Sequence, residues 1–182
     1  MNKNLISKAA DKLELMNILL HESSLERCEL DPLLYPDLID QQGMLSISFE
    51  EASYSNEDED FNIFRAYVNL GVRAVKSQEK NVEEDEVLFT IESTFRVEYI
   101  ENEKLTKKEA EEFSKFNSVH NVWPFWRKHV FDVVQQAGLP SIVIPLMRGM
   151  SLKHKPKAKP KAKPKAKPKA KPKAKPKAKK MQ

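Results

Sequence analysis

The side chains that could do chemistry are few and scattered. The four histidines, His21, His120, His129 and His154, have no cysteine beside them and no recognisable acid partner along the chain. His129 falls on or near an apolar helical stripe, where a histidine is far more often packed or solvated than a ligand. Cys28 is the sole cysteine, which excludes an intrachain disulfide and a thiolate metal site and agrees with a reducing cytosol. Four glycines cannot supply a phosphate-cradling loop, and no serine sits in a nucleophile-elbow pattern. The acidic run at residues 55–60 lacks the glycine and terminal glutamate of a calcium-binding hand. The groups Glu50-Glu51 and Glu83-Glu84-Asp85 have the character of solvated turn or edge charges. The expectation is therefore a protein that is not an enzyme and uses no metal or cofactor. Its function must come from apolar surface and charge.

The element with the strongest pattern lies between Asn117 and Leu146. Val119, Val122, Trp123, Trp126, Val130, Val133, Val134 and Ala137 recur at spacings of three and four, one apolar stripe on a helix. Arg127, Lys128, Asp132, Gln135 and Gln136 lie off the stripe, as do Phe125 and Phe131. Gly138 supplies a left-handed cap and Pro140 prevents resumption. Pro124 either starts the strong part of this helix or kinks it, because it lacks an N–H and clashes with the preceding turn. Just upstream, Thr106 and Glu109 have the spacing of a capping box. After Gly138, residues 141–146 form a short extended piece.

The helix needs a surface to cover, and alternation supplies one. A short helix is expected within residues 5–13, then an irregular strand near Asn17 to Glu29. Residues 31–43 form an apolar connection whose two prolines exclude a central strand or helix; it is either packed down or a binding surface. Met44 to Tyr54 alternates cleanly, with Leu45, Ile47 and Phe49 on one side. Phe61 to Lys76 and Val87 to Ile100 are longer strands of the same kind. Strands joined by short polar turns predict an antiparallel meander with one apolar face beneath the helix. The fold class is thus α+β: a four-stranded antiparallel meander followed by a long amphipathic helix. An open sheet has two edges to manage, and its excess apolar surface points to self-association or client binding.

The net charge of +4 conceals two unlike parts. Residues 153–180 hold 15 lysines and no acid, including six copies of Lys-Pro-Lys-Ala. Removing them leaves 16 basic residues against 27 acidic ones, so residues 1–152 are near −11. The lysine-proline tail is expected to stay extended and disordered, for it has nothing to bury and a proline every fourth residue. No secretory signal or bilayer-length apolar run is recognisable, which predicts a soluble, cytoplasmic protein. The expected division is an N-terminal extension over 1–13, a folded domain over 14–152 and the tail over 153–182.

The run Trp123-Pro124-Phe125-Trp126-Arg127, then Val130 and Gly138-Leu139-Pro140, resembles the helix of the SecB export-chaperone family. The stretch from His21 to Glu26 looks like that family's first strand, and the resemblance covers about residues 14–147. It implies a homotetrameric, ATP-independent holdase that wraps unfolded polypeptides along apolar grooves and can pass secretory precursors to the SecA motor. The groove would be lined by Leu33, Leu34, Tyr35, Phe49, Phe64 and Phe125. Glu22, Glu26 and Glu92 fall where the family carries motor-docking acids. Trp123, Trp126, Val130 and Val133 would form the core of the helix and part of the tetramer contact.

Two departures stand out. The lysine-proline tail takes the place of the family's second C-terminal helix, and an extra N-terminal segment precedes the first strand. Both resemble the SecB-like chaperones of toxin–antitoxin systems, which protect an aggregation-prone antitoxin. They count against motor docking and leave groove binding in place. From a different class comes the reading that the tail binds nucleic-acid phosphates without reading sequence. Contact with acidic membrane lipids is a third use for such a tail.

Overall fold

A computed structural model describes residues 1–35, 39–55, 60–76 and 86–147. Most of the acidic run at 55–60, the charged turn after residue 76 and the lysine-proline tail lie outside the described residues. Helix α1 (Lys3–Ala10) is followed by strand β1 (Leu13–Arg27), a single 3-10 turn (Pro32–Leu34), β2 (Ile39–Ser55), β3 (Asp60–Lys76) and β4 (Val87–Glu101). Then come α2 (Lys107–Phe113), a π-helical turn (Ser114–Ser118) and α3 (Val119–Gln136). Among the described residues no helix is long and apolar enough to cross a membrane.

The expected α+β class is what the structure shows, with one difference in strand order. All pairings are antiparallel, but the order is β1-β4-β3-β2. Only β2 to β4 form the meander. The connection after β1 carries the chain to the opposite edge, so β1 pairs with β4 and not with β2. Two boundaries also move. β1 begins at Leu13 because its pairing runs to the end of β4, where Asn102 N–H donates to the Lys12 carbonyl at 2.9 Å. β2 begins at Ile39 because both prolines of the connection precede it, which frees Ile39 to Gly43 to pair with Val72 to Lys76.

The core lies between the sheet and the helices. Phe64, Ala66, Val68, Leu70, Val72 and Ala74 of β3 are buried, as are Phe89, Ile91, Phe95, Val97 and Tyr99 of β4. Val119, Val122, Trp126, Val130 and Val134 of α3 close over them. Trp123, Val133 and Ala137 flank that seam, half-buried. The helix runs through Pro124 and neither starts nor ends there. The π turn precedes it. At a spacing of five, Phe113 and Ser118 are both buried, as are Ser114 and Val119, the spacing that a π turn brings to one face. Tyr99 beneath this turn donates to Ser118 Oγ at 3.3 Å and accepts from Asn121 Nδ2 at 3.1 Å. Burial pushes its phenol up.

Both caps form as the residue types predict. Thr106 and Glu109 exchange hydrogen bonds in a full capping box. Gly138 has φ 62°, and the Leu139 and Gly138 N–H groups return to Val134 and Gln135, a Schellman arrangement. Glu109 also binds Lys12 at 3.1 Å, which ties the end of α1 to α2. The backbone N–H of Thr106 and the Lys12 ammonium hold its carboxyl well below the usual range, at about 2. A depressed carboxyl contributes stability above its unfolded pKa that is lost as pH falls through the folded value. Urea unfolding should therefore show stability falling between pH 4.5 and about 2, with Glu109→Gln lacking that component of the fall.

Candidate functional site

The helix-facing side of β1 departs from a closed core. Leu13, Leu15, Ile18, Leu20, Ser23, Leu25 and Arg27 fall on that side by their pairing with alternate residues of β4. Their spacing is two, except across register shifts between Leu15 and Asn17 and between Leu20 and Glu22. Each shift is a bulge that inserts one residue, Met16 and then His21. Leu15, Leu20 and Leu25 are solvent-exposed, and the outer edge of β1 has no strand partner among the described residues.

Helix α3 meets this strip along one flank. His129 Nε2 lies 2.8 Å from Ser23 Oγ, and Ser93 Oγ donates to Ser23 at 3.2 Å. The His129 ring stacks on Trp126 and meets Phe95 edge-on, which desolvates it and lowers its pKa. Arg27 donates to the carbonyl of Ala137 at the end of α3. These ties hold the helix over β4 and leave the leucines beside it uncovered. Phe125, one turn before His129, is 49% exposed on the same flank, and Phe131 is also exposed.

The other flank of α3 is covered by the chain's own continuation. Residues 139–147 run back along the helix as an extended strap, with Leu139, Ile142 and Ile144 buried. Trp123 Nε1 donates to the Pro145 carbonyl at 2.9 Å, and Arg127 Nε to that of Ile144 at 3.0 Å.

The opposite face of the sheet is mostly polar and charged, with Ile63 buried on it. Glu98 is buried there, with Arg65 at 3.0 Å and Arg96 at 3.3 Å, and Asn17 donates to it. A cleft of about 680 Å³ crosses all four strands and is lined by Glu22, Ser24, Met44, Ser46, Asn69, Gly71, Glu92 and Thr94 among others. Gly71 makes room in it: a Cβ there would stand 2.6 Å from the Met44 terminal methyl. Glu26 continues the same face of β1 beyond the cleft.

The sequence-predicted residues thus separate. Glu22, Glu26 and Glu92 are brought together on one exposed face. Leu33 and Leu34 are exposed on the 3-10 turn, whereas Tyr35 is half-buried with the Lys76 ammonium 4.6 Å from its ring centre. Phe49 lies half-buried on β2, the edge strand farthest from β1, while Phe125 faces the β1 flank, so the six groove residues do not form one surface within a chain. Phe64 is 1% exposed among Phe49, Tyr99 and Phe113 and belongs to the core rather than to a groove. Trp126 and Val130 are likewise buried against their own sheet, which leaves none of their surface for a partner; Trp123 and Val133 keep some. The β1 strip itself was not singled out, because two bulges turn a strict alternation into one that steps by three.

Leu20, Leu25 and Phe125 are apolar and exposed, so truncating them should change surface and not stability. Leu20→Ser, Leu25→Ser and Phe125→Ser together should markedly lower the fluorescence of a bound apolar dye. Each alone should leave the free energy of urea unfolding within about 1 kcal/mol of the parent, as partly exposed positions do.

No protein-family model matches the chain, and no curated protein sequence does. Among solved structures it is similar to the Mycobacterium tuberculosis Rv1957 SecB-like chaperone in complex with a ChAD peptide from the Rv1956 HigA1 antitoxin. The two share 14% identity and a TM-score of 0.56 over 81% of this chain and 99% of that one. At that identity the likeness speaks for the fold: a four-stranded sheet under a long helix, built in the SecB-like way.

Proposed function

We propose that this protein is an ATP-independent holdase that keeps unfolded polypeptides from aggregating. The observation that carries the reading is the uncovered apolar strip of β1 beside Phe125, on a SecB-like fold. Leucine and phenylalanine side chains next to a free strand edge suit extended apolar segments of many sequences. The similar solved structure holds a peptide from an antitoxin, and by that likeness an antitoxin is a fitting client here; secretory precursors are the other. The free edge of β1 and the exposed Phe125 and Phe131 also favour self-association, as a homotetramer. The acids Glu22, Glu26 and Glu92 suit a basic partner such as an export motor. The working compartment is the cytoplasm.

Two measurements test this. Aggregation of a chemically unfolded client should be suppressed without nucleotide, and light scattering should give about four times 21.0 kDa. A monomer that leaves aggregation unchanged would overturn the reading. The 15 lysines of residues 153–180 support a second activity, salt-sensitive binding of nucleic-acid phosphates. Deleting residues 153–182 should abolish retention on immobilised DNA at low salt and leave client protection intact. Loss of client protection instead would make the tail part of the client contact.

A further inference from the structure

Residues 139–147 are held in an unusual manner for a segment packed on a core. They are extended but pair with no strand, and among the described residues the N–H groups of 141–147 donate no hydrogen bond within the protein. Pro140 and Pro145 have no N–H to offer. The polar hold on residues 141–147 comes from two side chains of α3, Trp123 and Arg127, and both take main-chain carbonyls. Ile142 and Ile144 point into the core cluster at alternate positions. Val143 between them is 71% exposed and Leu146 is 68% exposed. A contact made of carbonyl acceptors and alternate apolar side chains specifies an extended apolar chain and little else about its sequence.

From this geometry we infer that the Trp123–Arg127 flank of α3 is a peptide-binding track. The strap is its resident occupant, and an extended apolar client segment displaces it. This rests on the holdase reading above and names the class of segment held: an extended chain with β-branched or aliphatic residues two apart. The indole and guanidinium donate to the client's carbonyls, and its alternate side chains replace Ile142 and Ile144. Because the strap is tethered, it competes at an effective concentration of roughly millimolar order. Short peptides therefore bind weakly, and a long unfolded chain that also reaches the β1 strip displaces the strap. The strap covers the track when no client is present, which limits its own aggregation.

The test uses the full chain with Cys28→Ser and Val143→Cys, the latter carrying a nitroxide. The label stands on an exposed position. Reduced, carboxymethylated α-lactalbumin is added to saturation, with binding followed by its own fluorescence anisotropy. The expected result is a nitroxide that passes from restricted to mobile as the client binds. A second variant, Trp123→Phe with Arg127→Met, should free the nitroxide without client, because it removes the two donors that hold the strap. Client binding with an unchanged nitroxide spectrum would show the strap to be a fixed part of the core, and would overturn this inference while the holdase reading stands. So would a nitroxide that stays restricted in the second variant. Absence of any client binding would remove the holdase reading and this inference together.

Discussion

A single helix is narrower than a four-stranded sheet, and much of this structure follows from that mismatch. Four strands at about 4.8 Å spacing span roughly 19 Å, whereas a helix with its side chains is about 10–12 Å wide. The Trp126 stripe of α3 can therefore bury the faces of β3 and β4 and no more. Something else must cover the two outer strands, or they remain open.

The two flanks are resolved differently. On one side the chain turns back at Gly138 and lays residues 139–147 along α3, where Trp123 and Arg127 fix it by its carbonyls. On the other side no described residue covers Leu15, Leu20 and Leu25 of β1. Ser23 and Arg27 tether the helix there, but Leu15, Leu20 and Leu25 stay in solvent. An uncovered apolar strip on an edge strand is a liability for an isolated molecule. For a molecule that holds other chains it is the working surface. The same mismatch thus produces both the closed flank and the open one.

The far face of the sheet obeys other physics. Glu98 is buried among Arg65, Arg96 and Asn17, so its charge is compensated where water is scarce. Farther along, Glu22, Glu26 and Glu92 face solvent on adjacent strands. One sheet therefore has an apolar side and an acidic side. The strand order makes this possible, since it places β1 and β4 side by side and so gathers Glu92 with Glu22 and Glu26, which are far from it in sequence.

Most of the secondary structure was legible in the chain because it depends on local chemistry. The period of the valines and tryptophans gave α3, Thr106 and Glu109 gave the cap, and Gly138 gave the end. The alternations of β2, β3 and β4 gave three strands. The lack of clustered histidine, cysteine and acid pointed to surface chemistry. The aromatic–proline–aromatic run pointed to the SecB-like fold. What local pattern could not carry was anything set by pairing at a distance. The resemblance implies a groove place for Phe64, but Phe64 is buried among Phe49, Tyr99 and Phe113, and no local pattern shows what covers a strand face. The strip on β1 stayed hidden because bulges at Met16 and His21 break the period, and their position is defined only by the register against β4. The placement of β1 beside β4 and the gathering of the acids follow from the strand order, and the strap lies on α3 because Ile142 and Ile144 pack into the core beyond Gly138. The pairing of whole strands, and not a local pattern, puts β1 and β2 on opposite edges of the sheet.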